Sequence, residues 1–259
     1  AGGKTVGVTG SLKADAVAAS TLTVSGSGTA GTKAGSGTLA VTGNLVVNDS
    51  GAVAGTSGEN LTVSGTTTQS GGTVGNSSGA VGLTGALTQN SGAISATTLT
   101  LGESSTVKGT VNAVAIAAGE TTLTADGASV TVSGEAGITA GTLVQKTGGT
   151  VSAKKLTGAF DQDAGTAAID EITGTVDQES GATLTAATLG GTVANDGTIK
   201  AKDGGTLGIT GALTQGASGK IEDVTTLTLG ADGNAVGGTV TAGSVAGGKT
   251  VGVTGSLKA

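Results

Sequence analysis

The sequence predicts an all-β fold, a right-handed parallel β-helix (β-solenoid) with about 19 residues per rung and little or no α-helix. Three observations lead there. Short apolar–polar alternations recur along the whole chain, six glutamines recur in one local context, and residues 1–14 (AGGKTVGVTGSLKA) return letter for letter as residues 246–259. A repeat that perfect is not demanded by folding, because solenoid rungs tolerate wide substitution. We therefore expect residues 1–245 to be one solenoid repeat unit of about 13 rungs, and residues 246–259 to be the start of the next identical unit.

Composition narrows the core. Among 259 residues there are 52 Gly, a single aromatic (Phe160), and no Pro, Cys, Met, Trp, Tyr, His or Arg. The interior must be built from Val, Leu, Ile, Ala and the methyl of Thr, which suits thin repeated layers better than a thick globular core. An apolar fraction of 36% arranged in alternating stretches separates the chain from disordered Gly-rich sequences. A net charge of −6 without Arg or stacking aromatics argues against nucleic acid as a partner. No run of apolar residues is long enough to insert into a membrane.

Along the chain, residues 22–24 (LTV), 39–41 (LAV), 61–63 (LTV), 99–101 (LTL), 130–132 (VTV) and 227–229 (LTL) read as strands with one side in and one side out. Gly, Ser, Asn and Asp punctuate them. No segment sustains a 3.6-residue apolar period with caps, so helix is not expected.

The glutamines set the rung length. Gln69, Gln89, Gln145, Gln162, Gln178 and Gln215 each follow, by two residues, a mostly apolar position (Thr67, Leu87, Leu143, Phe160, Val176, Leu213). Each precedes a Gly by three or four residues (Gly72, Gly92, Gly148, Gly165, Gly181, Gly219). Successive gaps of 20, 56, 17, 16 and 37 residues become 16 to 20 per rung if the longest holds three rungs and the 37 holds two. At about 4.8 Å per rung, one 245-residue period would advance about 60 Å. The six amides share strand parity with the inward apolar positions, so they are expected to form an axial ladder, a structural role.

With rungs such as residues 37–47 (GTLAVTGNLVV) and 181–193 (GATLTAATLGGTV), the chain resembles the secreted parallel β-helices of filamentous-haemagglutinin-like adhesins and autotransporter passengers. That resemblance implies an extracellular or bacterial cell-surface location. It supplies no functional residue.

Three motifs carry possible chemistry. Residues 243–250 (GSVAGGKT) match the phosphate-loop pattern, but a strand and turn follow where a nucleotide site needs a helix, so no nucleotide is expected. Thr-x-Thr triplets begin at residues 21, 66, 98, 122, 183, 226 and 239, without the common step that an ice-matching face needs. Aligning the glutamine rungs stacks Lys146, Asp163 and Glu179 in one column and Val144, Asp161 and Asp177 in the neighbouring one. Like charges on adjacent strands repel unless water screens them or a cation such as Ca²⁺ bridges them. Both readings stand: solvated carboxylates, or a cation site at Asp161, Asp163, Asp177 and Glu179.

With no His, Cys, Arg or Tyr, and carboxylates mostly scattered, the chain is not expected to be an enzyme. The sequence shows no capping segment, so each unit is expected to cover its neighbour's open edges. The expected role is a structural repeat unit of an extracellular filament or surface appendage. Its partners would be identical units end to end, with lateral copies in a fibre. The rival is the rod of a secreted adhesin whose binding tip lies outside this segment.

Overall fold

A computed structural model describes residues 4–247 and 251–259. It is all-β, 65% strand, and coils as a parallel β-solenoid of about 13 turns with about 19 residues per turn. Among the described residues there is no α-helix, and one 3₁₀ turn lies at Lys202–Gly204. Contacts divide the chain into two compact units, Ala1–Thr124 with Ala128–Thr139, and Ala125–Gly127 with Ala140–Ala259.

Each turn carries three short strands, and every strand pairs in parallel with its equivalents one turn away. In the first unit one column of strands runs Thr5–Val8, Thr21–Val24, Asn44–Val53, Thr67–Gly75 and onward, with Val8, Val24, Val47, Gln69, Gln89 and Val107 in register. A second column stacks Ser11–Lys13 on Thr29–Gly31, and a third stacks Ala16–Val17, Gly37–Val41, Glu59–Val63 and Val81–Leu83. The second unit repeats this plan. There Gln162, Gln178, Asn195, Gln215, Val236 and Val253 share one column.

Alternation decides what fills the coil. In Thr21–Val24 the two threonines are half-buried and Leu22 and Val24 are fully covered, and Thr183–Ala186 follows the same pattern. Leu22 stacks on Leu45, Leu39 on Leu61, Leu207 on Leu227, so each layer finds a like-sized neighbour above or below. Burying one such side chain contributes about 1.5–3 kcal/mol. Phe160 is the widest interior residue and stacks on Val176, in a column that continues through the smaller Val193 and Leu213.

Rung length is uneven because corners absorb the difference. Register shifts mark bulges between Asp49 and Ala52 and between Ile221 and Val224. Between faces the backbone turns where glycine is required: at Gly72 φ is +62°, and a Cβ there would sit 2.0 Å from the Gly51 carbonyl oxygen.

Candidate functional site

The six glutamines are all buried, none more than 3% exposed. The amide nitrogen of Gln89 donates to Oε1 of Gln69 at 3.1 Å, that of Gln162 to Gln145 at 3.1 Å, and that of Gln178 to Gln162 at 3.1 Å. The same nitrogens also donate to backbone. Gln69 reaches the carbonyls of Gly72 and Ala93, Gln162 those of Gly165 and Thr183. At Gln69, Gln89, Gln145 and Gln162 the amide donates to the carbonyl of a corner glycine, Gly72, Gly92, Gly149 and Gly165, and the last two carbonyls also accept the N–H of Thr166 and Thr183. This ties the Gln-to-Gly spacing to the corner at those rungs, whereas Gln178 and Gln215 donate to the carbonyls of Thr198 and Thr239. At Gln145 the acceptor is Gly149, which has φ +103°, rather than Gly148.

The rung inferred within the 37-residue gap between Gln178 and Gln215 carries asparagine rather than glutamine. Asn195 lies between Gln178 and Gln215 in the same column and is 1% exposed. Its amide donates to the Lys220 carbonyl at 3.1 Å, but its side chain is one methylene shorter. Gln178 Oε1, Asn195 Oδ1 and Gln215 Oε1 are buried without hydrogen-bond partners. The amide-to-amide chain therefore stops at Gln178.

On the outside of this strand, Asp161 pairs in register with Asp177, as the sequence alignment expected. The neighbouring column of Lys146, Asp163 and Glu179 continues to Asp196, whose N–H bonds the Gln178 carbonyl. Burial above all, followed by the negative charges of Asp163, Asp177 and Glu179, pushes the Asp161 carboxyl above the usual aspartate range. Asp163, Asp177 and Glu179 are exposed. Among the described residues, no set of three or more His, Cys, Asp or Glu side chains is gathered to hold a metal ion. Successive carboxylates on adjacent strands form a column along the surface, and of the two readings of Asp161, Asp163, Asp177 and Glu179, solvated carboxylates or a Ca²⁺ bridge, the second has no assembled ligand set among the described residues.

A carboxylate that the sequence did not single out is the most buried acid. Glu59 is 1% exposed. Oε1 accepts from the Thr32 N–H at 2.8 Å and its hydroxyl at 3.1 Å, Oε2 accepts from the Thr56 N–H at 3.1 Å, and Lys13 Nζ lies 3.9 Å away. Burial, the largest single influence, pushes its pKa up. The N–H groups of Thr56 and Thr32, the Thr32 hydroxyl and Lys13 together outweigh it and hold the carboxyl below the usual glutamate range. Glu59 thus ties corners of successive turns together, a fixed structural role with three lone pairs already engaged.

The duplicated segment forms the same strands in both of its copies. In the first copy, Thr5–Val8 and Ser11–Lys13 pair with the following turn, Val8 with Val24 and Ser11 with Thr29. In the second, Val251–Val253 and Ser256–Lys258 pair with the preceding turn, Val253 with Val236 and Ser256 with Thr239. The two copies bond to opposite sides. The first faces the following turn: Val8 O accepts from Ser25 N–H at 3.0 Å, Gly10 O from Thr29 N–H at 2.7 Å, and Ala14 N–H donates to Gly31 O at 2.9 Å. The second faces the preceding turn, Thr254 N–H donating to Val236 O at 2.9 Å and Ser256 N–H to Gly238 O at 2.8 Å. Covering differs accordingly: Val8 is 7% exposed, its duplicate Val253 43%, and Leu257 40%.

The remaining motifs fall into the fold. In the phosphate-loop match, Gly243 to Ala246 belong to the strand Thr239–Ala246, Gly248 to Thr250 lie outside the described residues, and the strand Val251–Val253 follows. The Thr-x-Thr triplets at residues 21, 183 and 226 occupy different strand columns, so they build no common flat face. The chain matches no known protein family, no curated protein and no solved structure.

Proposed function

We propose that this chain is a structural repeat unit that continues end to end through its open solenoid edges, in an extracellular filament or cell-surface appendage. One observation carries the reading: an identical segment forms the same strands in both copies, pairing with the turn after it in one and with the turn before it in the other. A rung placed between two turns makes both pairings, so the same fourteen residues can close one unit and open the next. Parallel-strand edges with unpaired backbone groups are otherwise an association hazard that solenoids cap.

The interior supports a mechanical role over a catalytic one. Its polar side chains bond to one another and to corner carbonyls, and the most buried acid is tied to backbone. An extracellular setting accords with a chain lacking Met and Cys, which has no sulfur to oxidise. Negative-stain electron microscopy of the purified chain tests the reading. Unbranched filaments with an axial repeat near one 245-residue period, about 60 Å at ~4.8 Å per turn, support it; dispersed particles at every concentration and salt overturn it.

A further inference from the structure

We infer that the interior of the second unit binds a water molecule at the Asn195 rung, where it does the work of the amide that a glutamine would carry. The site is independent of the end-to-end reading above and uses none of its contacts.

Three consecutive rungs define it. Gln178, Asn195 and Gln215 are in register in one inward column and are 1%, 1% and 3% exposed. Gln178 Oε1, Asn195 Oδ1 and Gln215 Oε1 have no hydrogen-bond partner in the protein. The nitrogens fix the orientation of these amides. Nε2 of Gln178 donates to Gln162 Oε1 and the Thr198 carbonyl, Nδ2 of Asn195 to the Lys220 carbonyl, and Nε2 of Gln215 to the Thr239 carbonyl. Turning any of the three over would set oxygen against oxygen. The orphaned atoms are therefore acceptors, and the column supplies them no donor.

An intact rung shows what is required. Gln162 donates to the oxygen of Gln145 and accepts from the nitrogen of Gln178. Asn195, one methylene shorter, does neither toward its own neighbours. A water in that place does both: it donates to Gln178 Oε1 and to Asn195 Oδ1, and it accepts from Gln215 Nε2, whose other hydrogen goes to the Thr239 carbonyl. Three hydrogen bonds are the usual complement of a buried water, and its share of liquid volume, about 30 Å³, is comparable with the room a methylene would fill. Rungs stacked about 4.8 Å apart are spanned by one bridging water with bonds of about 2.8 Å.

The surroundings favour water over an ion. Buried neighbours in the same turns, Val193, Ile199 and Leu213, are aliphatic, and the buried carboxylate Glu59 belongs to the first unit. A cation would exchange its hydration shell for neutral amide oxygens alone. A single orphan does not make such a site. Thr67 Oγ1 is also buried without a partner, but its in-register neighbours Leu45 and Leu87 offer no second polar group, and a buried water needs two to four. Beyond Gln215 the column continues with Val236, which leaves Gln215 Oε1 outside the site.

Crystallographic maps that resolve ordered solvent test the site. The unaltered chain is expected to show one isolated peak within about 2.7–3.2 Å of Gln178 Oε1, Asn195 Oδ1 and Gln215 Nε2. In Asn195→Gln that peak is expected to vanish, with the new amide nitrogen bonded to Gln178 Oε1; release of an immobilised water agrees in sign with a gain in stability. Gln162→Asn creates a second short rung and is expected to add a second peak, between Gln145 and Gln178, which keeps the test open should the longer side chain at position 195 disturb folding. No peak in the unaltered chain, in a map that shows water elsewhere, overturns the proposal. A peak with oxygen contacts of about 2.3–2.6 Å, the mark of a bound Ca²⁺, does the same, as does one that persists in Asn195→Gln.

Discussion

Asn195 shows how much one methylene matters in a buried column. Gln162 and Gln178 each donate to the preceding amide as well as to backbone carbonyls, whereas Asn195 cannot reach Gln178. A buried acceptor without a donor costs about 1–3 kcal/mol. Asn195→Gln is expected to bring a donor to Gln178 Oε1 and an acceptor to Gln215, raising stability by about 1–2 kcal/mol in reversible denaturant unfolding. A loss of stability would mean the column is packed too tightly to admit the longer amide. Glu59 acts with the opposite polarity, as an acceptor among donors. Its carboxyl titrates lower in the folded protein than in the unfolded chain, so its stabilisation is full above the usual glutamate range and is lost as pH falls through the depressed folded value. Glu59→Gln should flatten that part of the acid unfolding curve, measured as melting temperature against pH; a parallel curve merely shifted down would contradict it. The glutamines were legible because a mostly apolar residue two before and a Gly three or four after recur around them, while Asn195 was hidden by a change of residue type. Glu59, alone in the string GEN, gave no signal, because its partners Thr32 and Lys13 belong to other turns.

At the level of strands, pairing in parallel and in register puts like residues side by side, and this serves apolar and charged residues differently. Leu on Leu deepens the core, but Asp161 on Asp177 concentrates negative charge. Elsewhere the second unit alternates sign: Lys155 pairs across strands with Glu171 at 3.0 Å, and Lys200 reaches Glu222 and Asp223 at 3.3 and 2.8 Å. Since Asp161 holds its proton more tightly when folded, it opposes folding at neutral pH, and the penalty is relieved as pH falls through its raised folded value toward the usual aspartate range. Asp161→Asn is accordingly expected to raise the melting temperature at pH 7 in low salt, with the gain shrinking as ionic strength rises and as pH is lowered. A gain independent of salt would point to packing instead. Strand positions and their inward parity could be read from the sequence, because alternation is local. Register across corners such as that between Val24 and Val47 could not, because bulges change the residue count per turn without changing which strands meet.

For the molecule as a whole, the approximate turn length and the absence of helix were legible because a repeated unit reports its own period. About 13 turns of about 19 residues emerge with three strands apiece. The two copies of residues 1–14 form the same strands, one pairing with the turn after it and the other with the turn before it, which no local pattern in the sequence announces. The central claim is that backbone pairing runs along the coil and continues from one copy to the next. X-ray diffraction from aligned filaments of the chain tests it most directly. A sharp reflection at about 4.8 Å along the filament axis is the predicted result; the same spacing appearing at right angles to that axis would contradict it.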